Sequence, residues 1–175
     1  PQVRTLRLEE LLARVDRELA ERDQELLLRF EHYLGSPLPA RVDERVRAGD
    51  FAAAERLWRD AVVTYFDGVR LPLPERLNGA TAQRVTDLHE RARRSAAAGI
   101  EAAEAAVIEA LRGEVDEVAV GLGARLRDGD APDAVAAALA RFRQELAQVW
   151  PAPGQFRVGL DPWPDVERRL AVLQQ

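Results

Sequence analysis

The sequence predicts an all-α protein, an elongated antiparallel bundle with two long helices and a coiled-coil-like seam. Three observations carry that prediction. Apolar residues recur at intervals of three and four along most of the chain, which is the period of one helix face. Pro and Gly fall mainly in clusters between those periodic stretches, and residues 80–127 contain no Pro at all. No stretch alternates as a strand must. The best strand candidate, Val62-Val63-Thr64-Tyr65-Phe66, continues a helical face.

The first helix is expected over residues 6–34. Thr5 is a candidate N-cap, and Glu9 and Glu10 lie in the first turns, where the helix dipole favours carboxylates. Leu12, Leu19, Leu26 and Tyr33 recur every seven residues, and Leu8, Leu11, Val15, Leu27 and Phe30 widen that stripe. Arg22 interrupts it. Such a helix would be about 43 Å long. Gly35-Ser36-Pro37 is a stop signal, and Pro37-Leu38-Pro39 reads as a rigid link. A short helix over Arg41 to Arg47 follows. Ala48-Gly49-Asp50 then reads as a stop and a new N-cap.

A medium helix is expected over residues 51–66, with Phe51, Ala54, Leu57, Trp58, Ala61, Val62 and Tyr65 on one face. It shares the look of one helical half of a tetratricopeptide repeat, but no second copy follows at that period. Val69 to Glu75, with Pro72 and Pro74, should be extended. Asn78 or Thr81 would cap the next helix.

Residues 80–127 are read as one long Ala-rich helix of about 70 Å, with any bend at Gly121–Gly123. Val107, Leu111, Val115, Val118, Leu122 and Leu126 are spaced 4, 4, 3, 4 and 4, an eleven-residue repeat that keeps an apolar stripe nearly straight. Asp128-Gly129-Asp130 should end this helix and recap the chain. A helix over 131–150 follows, with Pro132 in its first turn and Val135, Leu139, Phe142, Leu146 and Val149 as a seam. Residues 151–164 read as a structured apolar loop, and 164–173 as a short terminal helix. The whole chain, 1–175, is read as a single helical unit. Its buried seam is expected to hold Leu12, Leu19, Leu26, Phe30, Leu57, Trp58, Val62, Ile100, Val107, Leu111, Val118, Leu139, Phe142 and Leu146.

Composition narrows the chemistry. The chain has no Cys, so a disulfide, a thiolate metal site and a Cys nucleophile are excluded. All 25 basic residues are Arg, a bias that GC-rich coding explains. No apolar run approaches the roughly 18–20 residues that span a bilayer. No membrane association and a cytoplasmic location are the expectations. The formal net charge of −5 argues against a protein that coats nucleic acid.

The catalytic inventory is sparse. Of the two His residues, His32 and His89, neither has a second His four positions on or a Glu three positions before. Ser occurs only at 36 and 95, with no nucleophile-elbow motif, and Gly121-Leu122-Gly123 matches no phosphate loop. The pairs Glu101/Glu104 and Glu114/Glu117 share a helix face, as acids do in magnesium-dependent bundle hydrolases. Solvated helix-surface acids explain them as well. No cofactor and no metal are expected.

What the sequence offers in quantity is helix surface. Residues 81–98 hold four Arg against two acids, and 101–117 hold six acids against one Arg. The long helix is thus polar along its axis. Two antiparallel copies would set Arg91, Arg93 and Arg94 near acids such as Glu101 and Glu104. Ala98, Ala102 and Ala105 would let the backbones approach; a helix of the same chain is the competing occupant of that face. The leading expectation is a non-enzymatic interaction or scaffold protein that self-associates or binds a helical partner. The second is a nucleic-acid accessory protein using Arg56, Arg59, Arg91, Arg93 and Arg94. The third is the magnesium-dependent bundle hydrolase. Ala20-Glu21-Arg22-Asp23, the segment Phe142 to Leu146 and Asp165-Val166-Glu167 resemble strings in helical proteins of phages and other mobile elements. That group has no assigned chemistry, so the resemblance adds little to the reading of the residues.

Overall fold

A computed structural model describes residues 2–69 and 79–172. Among the described residues there are seven helices and no strand: α1 (Gln2–Gly35), α2 (Pro37–Arg47), α3 (Phe51–Arg59), α4 (Ala61–Gly68), α5 (Gly79–Arg127), α6 (Pro132–Val149) and α7 (Trp163–Ala171). The expected extended run over 69–75 lies, from residue 70 on, outside the described residues. So do the candidate cap Asn78 and the end of the terminal helix at Leu173.

Several boundaries differ from expectation for local reasons. α1 begins at Gln2, which puts Thr5 inside the helix and not at its cap. Pro37-Leu38-Pro39 is the first turn of α2 and not a link. Pro is tolerated there because first-turn N–H groups have no intrahelical acceptor. The expected helix over 51–66 is two helices, parted at Asp60, whose backbone (φ −93°, ψ 4°) is not helical. The glycines at 121 and 123 do not interrupt α5, which is one helix of 49 residues. Thr81 lies inside α5, and its hydroxyl bonds Asp23 Oδ2 instead of capping the helix. The chain re-enters α6 through Ala131, with no side-chain cap, so Asp130 does not recap it.

Other stops form as expected. Asp50 N donates to the Arg45 carbonyl and Gly49 N to that of Val46, with Gly49 at φ +72°. The Asp128-Gly129-Asp130 stop repeats this pattern, with Asp130 N bonding the Arg125 carbonyl and Gly129 at φ +95°. Both are Schellman ends, in which a left-handed residue lets two late carbonyls be satisfied. Asp50 Oδ1 then caps α3 by accepting from Ala53 N at 3.0 Å. A Cβ on Gly49 would stand 2.6 Å from Pro151 Cγ. Gly49→Ala therefore combines left-handed strain with a clash and should cost about 1–3 kcal/mol, read as a lower urea midpoint.

The chain divides into two compact units, Pro1–Ala40 with Trp58–Ser95, and Arg41–Leu57 with Ala96–Gln175. In the first unit the buried set is Leu27, Phe30, Leu34, Leu38, Trp58, Ala61, Phe66 and Val85. Phe30 sits at its centre, with ring centroids 5.1 Å from Tyr65, 5.8 Å from Phe66 and 6.3 Å from Tyr33. Burial raises the Tyr65 pKa, opposed by the nearby Arg29 charge. The sign follows from the neutral phenol being favoured in the fold. This contribution is whole below the unfolded Tyr value of about 10 and is lost as pH rises through the higher folded value. Tyr65→Phe should accordingly lessen the drop in urea midpoint between pH 8 and pH 11.

In the second unit Leu111, Val115 and Leu122 of α5 pack with Val135, Leu139, Phe142 and Leu146 of α6 and with Val166 and Leu170 of α7. The eleven-residue repeat and the α6 seam thus meet one another. Their last members do not take part: Leu126 is exposed, and Val149 is 75% exposed. The apolar loop between α6 and α7 is pinned at several points. Phe156 packs on Phe51 at 6.0 Å, and the Gln155 carbonyl accepts from Ala52 N. Trp163 Nε1 donates to the Pro151 carbonyl at 2.8 Å.

The expected core fails at one end of α1. Every described side chain from Arg7 to Arg22 is exposed, Leu12 at 55% and Leu19 at 53% among them. Leu26, Leu57, Val62, Val107 and Val118 are only partly buried. The stripe itself is continuous in sequence. It becomes core from Leu27 onward, where α4 aromatics and Val85 of α5 share the same buried set, and stays open before that.

Candidate functional site

The most enclosed polar group of the described residues is Glu104, 1% exposed on α5. Ile100, Glu104, Val107, Leu111 and Val115 are spaced 4, 3, 4 and 4, so Glu104 occupies an inward position of the apolar stripe. A buried carboxylate needs partners or its desolvation is uncompensated. Arg157, in the loop before α7, supplies them. Its backbone N–H donates to Glu104 Oε1 at 2.7 Å and its Nε to Oε2 at 2.6 Å. Its Nη1 donates to Glu101 Oε1 at 3.2 Å. Burial acts to lower the Arg157 pKa, and the hydrogen bonds and charges of Glu104 and Glu101 outweigh it, leaving the guanidinium above its ordinary value.

The neighbouring acids of α5 are tied down in the same manner. Trp150 Nε1 donates to Glu114 Oε2 at 2.8 Å, and Arg169 bridges Asp116 and Asp165. The Asp116 hydrogen bond is the main reason that the Arg169 pKa is raised. The acidic block read as a surface for a second copy is therefore largely a set of internal ties. Glu104 in particular is closed to any partner, and Glu101 is partly engaged. Neither pair of carboxylates converges with others: among the described residues no three His, Asp or Glu side chains are grouped so as to hold a metal ion.

The basic candidates lie on the surface. Arg91 and Arg93 are exposed, with no carboxylate partner among the described residues. Arg94 is exposed, and its Nε donates to the Glu90 carbonyl. Arg56 is exposed, and Arg59 pairs with Asp60 at 3.4 Å. In the first unit Arg84 and Arg91 stand on the α5 wall of an open groove of about 820 Å³. Leu27 and Leu28 of α1 line it as well, with Thr81 and Leu88 of α5. It contains the Thr81–Asp23 hydrogen bond. His89 is turned elsewhere, its Nε2 donating to the Trp58 carbonyl at 2.6 Å.

Two helix surfaces remain open. On α5, Ala98, Ala102 and Ala105 are exposed, and a Cβ added at Gly99 or Gly113 would meet nothing. On α1, Leu11, Leu12, Val15 and Leu19 are each 47–55% exposed along one face. The residue that sequence reading missed is Arg157, which stands in a loop with no spacing to mark it. The signal available was its partner, a lone Glu at an inward stripe position. The chain matches no protein-family model, no curated protein and no solved structure.

Proposed function

We propose that this protein is a non-enzymatic interaction or scaffold protein that acts through helix faces left open by its own fold. The observation that carries the reading is the row Leu11, Leu12, Val15 and Leu19, half exposed on consecutive turns of α1. Contiguous exposed apolar patches are uncommon on monomeric proteins, and large ones mark contact surfaces. The open Ala98, Ala102 and Ala105 face of α5 supports self-association as part of the same behaviour, since small side chains allow close helix approach.

Light scattering at rising concentration tests it. A mass above the 19.5 kDa of one chain is expected, falling back when Ala98→Glu and Ala102→Glu are combined. A monomer at every concentration that also retains no helical partner would contradict the reading.

The guanidinium groups of Arg91 and Arg93, exposed and without a carboxylate partner among the described residues, favour a second reading, a nucleic-acid accessory protein binding phosphates. Its mark would be a salt-sensitive gel shift abolished by Arg91→Glu, Arg93→Glu and Arg94→Glu together. The hydrolase reading draws no support from the geometry, because Glu104 and Glu114 are committed to Arg157 and Trp150.

A further inference from the structure

The open face of α1 has edges as well as a centre. Leu12, Val15 and Leu19 form the centre, with Leu11 beside them. Along one edge Glu9, Asp16 and Asp23 recur every seven residues. Asp23 is held by the Thr81 hydroxyl. Glu9 and Asp16 are exposed and have no cationic partner among the described residues. The acids of the other edge are already matched: Glu18 pairs with Arg14 at 3.8 Å and Glu25 with Arg29 at 2.5 Å. The face thus offers an apolar row with one uncompensated acidic rail.

Resting on the reading of this chain as a contact protein, we infer that the α1 face takes an amphipathic helix of another protein whose edge carries Arg or Lys. A cationic edge would meet the Glu9–Asp16 rail, as charged flanks set partner choice in paired helices.

A second copy of the same face fits badly. An antiparallel copy that matched Leu12 with Val15 would set Glu9 against Asp16. One that matched Val15 with Leu19 would set Asp16 against itself. A parallel copy would stack Arg22 on Arg22 within the seam. Like charges so placed select against a partner. Self-association through the α5 face is a separate event and does not use this rail.

Two fluorescein-labelled synthetic helices provide the probes. Each has 21 residues and the same Leu/Val seam, one with Arg and the other with Glu on the flanking positions. Fluorescence anisotropy with the full chain should show the Arg peptide binding at least tenfold more tightly than the Glu peptide. Combining Glu9→Arg with Asp16→Arg should reverse that order. Leu12→Ala with Leu19→Ala should weaken the Arg peptide by about a hundredfold while the urea unfolding midpoint stays in place, since both side chains are exposed. Equal binding of the two peptides, or no binding of either, would overturn the inference. So would a disulfide-linked dimer formed readily by Val15→Cys. The outcomes separate this inference from the broader reading: failure here with a self-associating chain leaves the contact function standing, and a monomer that binds the Arg peptide leaves this face standing.

Discussion

Arg157→Ala should lower the unfolding free energy by about 3 kcal/mol, the cost of leaving a buried charge unpaired. Glu104 has 1% of its side chain in contact with water, so solvent cannot replace the guanidinium. The backbone N–H of residue 157 would still reach Oε1, which limits the loss. At about 2–4 °C per kcal/mol for a chain of this size, the melting point should fall by roughly 6–12 °C. Thermal and urea unfolding of the purified variant check both figures. Replacing the pair together, Glu104→Leu with Arg157→Leu, should recover much of the loss, because a packed apolar pair needs no compensation. A single substitution within 0.5 kcal/mol of wild type would mean that the clamp adds little to holding the loop before α7 on α5.

Phe30→Ala should cost about 3–5 kcal/mol, the range for removing a buried aromatic side chain. The ring is fully buried and touches Tyr33, Tyr65 and Phe66, so its loss opens a cavity in the core. Near-ultraviolet circular dichroism should lose Tyr signal in parallel with the fall in urea midpoint. Phe30→Leu, which retains most of the volume, should cost less than half as much.

The helical class was legible in the sequence because periodicity is set by the faces that pack. The stripe Leu111, Val115, Leu122 and the seam Val135, Leu139, Phe142, Leu146 were read as apolar faces, and each is buried against the other. The stops at Gly49 and Gly129 were legible for a similar reason, since each end needs a residue tolerant of left-handed backbone. The errors share one cause. Periodicity says that a face is apolar and leaves open whether anything lies against it. Leu12 and Leu19 belong to the same stripe as Phe30, yet only Phe30 has neighbours from α4.

The clamp was hidden by distance along the chain. Glu104 and Arg157 are 53 residues apart, and no local rule joins an inward acid to a loop Arg. The acids of α5 accordingly read as a surface charge pattern, whereas Arg157, Trp150 and Arg169 use four of them. The break at Asp60 was missed because the apolar face of α3 resumes in α4 nearly in phase, so the pattern hides the interruption.

On α1 one apolar stripe stands in two states, buried beyond Leu26 and exposed before Arg22. The direct measurement is the urea unfolding free energy of a chain in which Leu12→Gln and Leu19→Gln are combined, taken at high dilution. A value within about 0.5 kcal/mol of wild type is expected, as for surface positions. A loss of several kcal/mol would show both leucines to be interior, and the face proposed for binding would not exist.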